Sequence, residues 1–162
     1  MTASASEGKL NTVHEMYPIM KMVGMPMEAA MTTHRIAIAG SKSWPVEDEN
    51  QVRTAVTEWV MANTDEGDTL EFKCGDFTTG VDTFVDDIAA SFTGPRVIVV
   101  ETHSTNPIFG SFADQARNRI LLDSGVDIVM VFVATTNSTS AGNLARMAEK
   151  DGIPVITTGY TP

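Results

Sequence analysis

The stretch that decides the fold is Arg35-Ile-Ala-Ile-Ala-Gly-Ser-Lys-Ser-Trp44, which leads into an acidic run at 47–49. Residues 36–39 are apolar without a polar face, which is typical of a strand buried on both sides of a parallel sheet. Gly40 and Ser41 then form a tight turn, and Pro45 with the acidic run predicts a helix start. Such a turn suits an anionic ligand, because glycine allows close backbone approach and free N–H groups favour negative charge. We therefore predict that this turn helps to form a nucleotide site.

Outward from this stretch, short apolar runs alternate with helical patterns. The further predicted strands are 69–74, 97–100, 128–133 and 154–157, and the predicted helices are 47–62, one running from the 75–82 turn to about 92, 111–123 and 141–150. This alternation predicts an α/β fold, a Rossmann-like three-layer sandwich with a parallel five-stranded sheet. Ligands of such sheets bind beyond the carboxyl ends of the strands, where strand order reverses. We therefore expect the turns at Gly40, Gly75 and 135–140, and the loop 102–110, to share one edge.

Composition narrows the classes of partner. The chain has 162 residues and a formal net charge of -10, which argues against a nucleic acid because that binding depends on Lys and Arg. A small nucleotide needs only a local pocket. No apolar run approaches the roughly 20 residues of a membrane span, and the signal-peptide pattern is absent. Cys74 is the single cysteine, which leaves no internal disulfide. We expect a cytoplasmic protein with no membrane partner, no metal and no cofactor.

The first residues differ from the rest, so we divide the chain into a leader, 1–33, and a Rossmann-like domain, 34–162. The leader is rich in methionine and is interrupted by Pro18, Gly24 and Pro26. Three interpretations stay open: a loosely structured segment that packs on the domain, an adaptable contact surface for a partner or a second subunit, or a natural start at Met31. We also expect a homo-oligomer.

Four segments resemble the SLOG superfamily, specifically its YspA-like branch, with more distant similarity to the DprA and LOG branches. They are Gly-Ser-Lys-Ser-Trp at 40–44, Gly-Asp-Phe-Thr-Thr-Gly-Val-Asp at 75–82, Arg-Asn at 117–118 and Ser-Thr-Ser-Ala-Gly at 138–142. The family has Gly-Ser-Arg-x-Trp, Gly-Gly-Cys-Pro-Thr-Gly-Ala-Asp, Arg-Asn and Ser-x-Gly-Thr in this order. The Pro-Gly-Gly-x-Gly-Thr loop of the LOG glycosidases is absent. The resemblance implies a Rossmann-like domain that binds a nucleotide or a nucleotide-derived ligand.

The resemblance and the strand-end positions together nominate a set of candidate residues. The candidate ligand-binding residues are Gly40, Ser41, Lys42, Gly75, Thr79, Gly80, Asp82, Arg117, Asn118, Ser138 and Ser140. We expect backbone N–H groups of the first two turns to hold phosphate, and Asp82 with Asn118 to fix the sugar or base. Because adjacent helical residues point in different directions, only one of Arg117 and Asn118 need face the cleft, and we choose Asn118.

These residues also have structural interpretations that do not involve a ligand. Ser41 could cap a helix, Lys42 could be a solvated surface lysine, and Asp82 could stabilise its own helix start. Trp44 either stacks on a base or lies at a rim or in the core. We expect His103 to lie exposed in its loop.

Three functions stay open. The leading hypothesis is binding of a nucleotide or a nucleotide-derived ligand. A nucleotide hydrolase of the N-glycosidase type would need an acid/base carboxylate near the sugar, for which Asp82, Asp76 and Glu101 are candidates. The third is a structural or interaction protein with a decayed nucleotide site, which the altered segment 138–142 favours. Whether the protein is an enzyme stays open.

Overall fold

A computed structural model of the chain describes residues 32–92, 94–134 and 139–162, so the methionine-rich part of the predicted leader lies outside the described residues. The strands are β1 Thr33–Gly40, β2 Thr69–Cys74, β3 Val97–Thr102, β4 Ile128–Val133 and β5 Val155–Gly159. All of them pair in parallel, in the order β3-β2-β1-β4-β5. Strand order therefore reverses between β1 and β4, and the predicted Rossmann-like α/β fold is confirmed.

Helices connect consecutive strands. They are α1 Glu49–Asn63, α2 Val85–Ala90, α3 Ala113–Asp123 and α4 Thr139–Lys150. Short 3-10 segments, Val46–Asp48, Val81–Phe84 and Pro107–Phe112, precede the first three helices. The acidic run predicted at the start of the first helix thus lies largely in such a segment, which is common at helix N-termini. Among these helices, none has both the length and the apolar character to cross a membrane.

The central strand β1 alternates large and small residues, and each kind faces a different layer. Ile36 and Ile38 pack in the larger core with side chains of α1 and α2. Ala37 and Ala39 lie on the opposite face, in a core shared with α3 and α4. Because successive strand residues point to opposite faces, the α3 and α4 layer meets methyl groups where the other layer meets isoleucines. This leaves room beneath α3 and α4 at the carboxyl end of β1.

Trp44 belongs to the core. Its side chain is 2% exposed, and its ring makes edge contacts with Phe132 and Tyr160. The indole N–H donates to the Asp48 carbonyl oxygen at 3.1 Å. The core interpretation of Trp44 is confirmed, and stacking on a ligand base is wrong because the ring is enclosed by protein.

Cys74, at the end of β2, is also buried. Burial raises the pKa of its thiol to about 11. A thiol with so high a pKa is a poor nucleophile near neutral pH, because the thiolate is the reactive form. Cys74 therefore acts as a small apolar side chain.

Lys73, on β2, is buried as well, and its side chain is 2% exposed. Its Nζ donates to the carbonyl oxygen of Ser124 at 3.1 Å and to Oγ of the same residue at 2.8 Å. Glu101 Oε1 lies 3.5 Å away. Since Ser124 follows α3, the ammonium group satisfies a carbonyl at the end of that helix, where positive charge is favoured.

His103 is not the exposed loop residue that the sequence predicts. Its side chain is 12% exposed, and its Nε2 lies 2.9 Å from Glu101 Oε2. Its backbone N–H donates to the Cys74 carbonyl oxygen at 2.8 Å and so extends the pairing of β3 with β2. This backbone contact holds the start of the loop beside β2, and the ring is only partly exposed.

Candidate functional site

A cavity lies at the carboxyl edge of the sheet, where strand order reverses between β1 and β4. It contains about 270 Å³ of empty space, part of which is open to solvent. The enclosed part is no larger than about one water molecule. Six of the candidate residues line it, namely Gly40, Gly75, Asp82, Arg117, Asn118 and Ser140. The structure thus brings residues from all four motif segments to one place, with Ser140 contributed by the first turn of α4.

The remaining candidates lie around this cavity or outside the described residues. Ser41 is buried and ties β1 to β4, because its N–H donates to the Phe132 carbonyl oxygen at 2.9 Å and its Oγ accepts from the Ala134 N–H at 2.7 Å. Lys42 and Thr79 are exposed. Gly80 is buried against the first turn. Ser138 lies outside the described residues.

Gly80 is where the two glycine turns meet. Its φ is +78°, and a Cβ there would lie 2.1 Å from the Ser41 carbonyl oxygen and 2.5 Å from Lys42 Cα. Only glycine fits this contact, because both obstacles are backbone atoms and the positive φ strains other residues. Gly40 is similarly required by packing, since a Cβ would lie 2.4 Å from Val81 Cγ2. The predicted meeting of the two turns is therefore observed.

Backbone amides of these turns are used within the protein. The Ser41 N–H donates to Phe132, and the Val81 N–H donates to the Ser41 carbonyl oxygen at 3.2 Å. The Phe77 N–H donates to Asp82 Oδ2 at 3.2 Å. Because each of these three donors has a protein acceptor, these three amides are not available to the predicted phosphate nest.

Arg117 is the buried cation of the cavity wall, and it is 5% exposed. Its Nε donates to Asn118 Oδ1 at 3.0 Å, and its Nη2 donates to Ser140 Oγ at 3.0 Å. Its Nη1 is buried and makes no hydrogen bond within the described residues. The closest charge is Asp76 Oδ1 at 3.7 Å, which is an ion-pair distance but too long for a hydrogen bond.

Asn118 is buried beside Arg117 and also lines the cavity. Its Nδ2 donates to the Ser140 carbonyl oxygen at 3.0 Å, while its Oδ1 accepts from Arg117. The expectation that only one of the two adjacent residues faces the cleft is wrong, because the long Arg117 side chain bends back to its neighbour's carboxamide. Asn118 holds Arg117 and the first turn of α4 in place.

Asp82 is the carboxylate of the wall. Burial raises the pKa of this carboxyl, and the hydrogen bond from the Phe77 N–H and the charge of Arg117 act in the opposite direction. Because Gly75 has no side chain, Arg117 Nη1 and Asp82 Oδ2 can both lie close to its backbone. A Cβ at this position would lie 2.3 Å from Arg117 Nη1 and 2.7 Å from Asp82 Oδ2. The hydrogen bond to Phe77 shows that Asp82 also closes its own loop.

Phe77 is a site residue that the sequence reasoning missed. Its ring lies at the cavity, with Lys42 Nζ 4.2 Å and Arg117 Cζ 5.1 Å from the ring centroid. Both distances fall within the range of cation–π contacts. An aromatic residue between two glycines of a strand-end loop was the available signal.

In the part of the chain that the structure describes, no three His, Cys, Asp or Glu side chains come together as metal ligands. Comparison of the chain with protein-family models finds no match, and comparison with curated proteins finds none either. The SLOG resemblance therefore rests on the four motif segments alone and stays a prediction.

Proposed function

We propose that this protein binds a nucleotide or a nucleotide-derived small molecule at the cavity between β1 and β4. The observation that carries the proposal is Arg117, whose buried Nη1 lacks a hydrogen bond within the described residues. A buried donor of a charged group without an acceptor costs free energy. A phosphate oxygen would supply that acceptor, and the planar guanidinium suits phosphate geometry.

The place of the cavity supports the same function. In open parallel sheets, ligands bind at the carboxyl ends of the strands where the order reverses. The cavity is too small to enclose a whole nucleotide. One group of the ligand would therefore contact Arg117, while the rest would lie at the mouth beside the exposed Lys42.

Asp82 adds a second kind of contact. A carboxylate accepts hydrogen bonds, so it suits the hydroxyl groups of a ribose better than it suits a phosphate. Asp82 lines the cavity on the side of Gly75. Arg117 and Asp82 together would bind a ligand that carries an anionic group and a sugar.

The test is a titration of the full chain with nucleoside mono- and diphosphates, followed by melting temperature and by calorimetry. A ligand at 100 times its dissociation constant adds about 2.7 kcal/mol to the free energy of unfolding. We expect Arg117→Lys to weaken binding at least about tenfold, because the lysine cannot reproduce the planar fork.

The matched control is Arg119→Lys, on the same helix. Arg119 pairs with Asp123 and Asp151 at the surface and is not part of the cavity. This variant should bind as the parent does. Equal binding by Arg117→Lys and the parent would place the site elsewhere, and a parent that binds no nucleotide would favour the structural or interaction function.

A second candidate function is hydrolysis of an N-glycosidic bond, which the raised pKa of the Asp82 carboxyl favours. A carboxyl with a raised pKa beside a cavity suits general acid/base catalysis. Water would add across the bond between base and sugar, giving free base and a sugar phosphate. Chromatography of incubations with nucleoside monophosphates tests this function. Activity should be lost in Asp82→Asn and kept in Asp87→Asn, a surface control on α2.

The expected homo-oligomer stays a prediction. Measurement of the mass of the full chain in solution, with and without residues 1–33, tests it.

A further inference from the structure

We propose that Asp76 and Phe77 occupy the place of the ligand's anionic group, and that this group displaces them and binds between Lys42 and Arg117. The inference rests on the proposed function and concerns how binding is regulated. The loop of residues 75–80 closes the site when no ligand is bound. Binding then includes the cost of moving that loop, which lowers the apparent affinity.

The first support is the arrangement of the two cations. Lys42 Nζ and Arg117 Cζ lie 4.2 Å and 5.1 Å from the centroid of the same ring. A ring face attracts a cation, but a charge-assisted hydrogen bond from that cation to a phosphate oxygen is stronger. A phosphate-sized anion in the place of the ring would therefore improve the contacts of both cations.

The second support is the carboxylate next to that ring. Asp76 Oδ1 lies 3.7 Å from Arg117 Nη1, and the Asp76 side chain is 36% exposed. It neutralises part of the guanidinium charge without satisfying the Nη1 donor. An anion that reached hydrogen-bonding distance would compete favourably with so loose a partner.

The third support is that the loop has fixed ends and an exposed middle. Gly75 is buried against Arg117, and Gly80 is buried against Ser41 and Lys42. Between them, Asp76, Thr78 and Thr79 are exposed. The hydrogen bond from the Phe77 N–H to Asp82 Oδ2 fixes the backbone of the loop at Phe77. Displacement of the backbone of residues 76–77 would break this bond and leave both ends of the loop in place.

The experiment is calorimetric titration of the full chain with inorganic pyrophosphate. Phe77→Ala removes the competing ring, so we expect it to bind about fivefold or more tightly than the parent. Asp76→Asn removes the competing charge, so we expect about threefold tighter binding. Thr78→Ala, an exposed residue of the same loop, is the matched control and should bind as the parent does.

The outcomes separate this inference from the function on which it rests. If the parent binds pyrophosphate or a nucleotide and Phe77→Ala binds no more tightly, the ring does not compete with the ligand, and only the inference fails. If the parent binds nucleotides but not pyrophosphate, the anion subsite is wrong and the proposed function stands. If the parent and all variants bind neither probe, both fail.

A second measurement needs no substitution. Displacement of the loop backbone at residues 76–77 would free the Phe77 N–H from Asp82, so saturating pyrophosphate should speed hydrogen exchange of the Phe77 amide. The Val81 amide, which donates to Ser41 at the fixed end of the loop, should stay protected. Slower exchange at Phe77 would mean that the loop closes onto the ligand, which would overturn the inference.

Discussion

Two buried cations are associated with α3, and their surroundings differ. Lys73, near the end of the helix, donates to both oxygens of Ser124 and pairs with Glu101. Arg117, within the helix, has acceptors for Nε and Nη2 but none for Nη1 among the described residues. Lys73 thus has a full set of partners without a ligand, whereas Arg117 has a donor, Nη1, that a ligand could use. The difference indicates that Lys73 serves stability, and it is the basis on which we propose that Arg117 binds the ligand.

The physical origin of the difference is position in the sheet. Lys73 meets a helix end whose carbonyl group needs a donor. Arg117 lies at the point where strand order reverses, beside Ala39 and Gly40, which supply little side chain and no acceptor side chain. The protein therefore provides partners for the whole ammonium group of Lys73 but for only part of the guanidinium group of Arg117.

Gly80→Ala has the largest expected effect, and it tests how firmly the two turns beside Arg117 are packed together. The new Cβ would lie 2.1 Å from the backbone oxygen of Ser41, at a φ of +78°. We expect the free energy of unfolding to fall by about 3–5 kcal/mol, measured by urea denaturation.

The matched control is Gly67→Ala, whose φ is +97° and whose Cβ would meet nothing within 4 Å. It carries the conformational cost alone, about 1–2 kcal/mol. Equal losses in the two variants would mean that the contact between the two turns is loose. A larger loss in Gly80→Ala would show that a side chain at this position disrupts the turn itself. Substitutions of Gly80 would then be poor probes of ligand binding.

The pair Lys73→Met and Arg117→Met compares the two cations directly. Methionine keeps much of the length of each side chain and removes the charge. Lys73→Met loses two hydrogen bonds from a charged group, and we expect a loss of about 2 kcal/mol in the free energy of unfolding. Arg117→Met also loses two hydrogen bonds from a charged group, but it removes a buried donor that has no acceptor, so we expect a smaller loss, about 1 kcal/mol.

Urea denaturation of both variants beside the parent measures these losses. The comparison breaks if Arg117→Met is the more destabilised of the two, because Arg117 would then be the structural cation. Nucleotide binding should be lost only in Arg117→Met.

The smallest effect concerns Asp82 and pH. Because burial raises the pKa of Asp82 above its ordinary value of 3.8, the folded protein holds this proton at pH values where the unfolded chain has released it. The contribution of Asp82 to stability therefore falls as pH rises from about 3.8 through the folded pKa, and is constant above it.

Asp82→Asn removes this titration, whereas Asp76, Asp114 and Arg117 remain in both proteins. We expect the stability of the variant relative to the parent to be greater at neutral pH than near pH 4, measured by urea denaturation across the range. A relative stability that changes in the opposite direction would mean that the contact with Arg117 dominates and that the pKa is lowered.

The arrangement of helices and strands was readable from the sequence because its signals are local. β2 alternates polar and apolar residues up to Gly75, and β4 is a continuous apolar run, so the sequence predicted the bounds of both strands. The place of the cavity followed from the alternation of strands and helices, since topology alone brings Gly40 and Gly75 to one edge.

The side-chain contacts at the carboxyl edge of the sheet could not be predicted from the sequence in the same way. Arg117 and Ser140 are 23 positions apart, and Phe77 and Lys42 also lie far apart in the chain. Neither hydrophobic period nor motif spacing reports which side chains meet over such separations. The amides of Ser41 and Val81 illustrate the point, because their acceptors belong to other segments of the chain.

By itself, then, the sequence determined an α/β sheet with glycine turns at its carboxyl edge, because strand and helix periods and glycine positions act locally. Tertiary structure alone decided that the amides of Ser41, Phe77 and Val81 bond within the protein, that Trp44 joins the core, and that Arg117 keeps an incomplete set of partners. The reason is that hydrogen bonds and burial depend on residues brought together only when the layers pack.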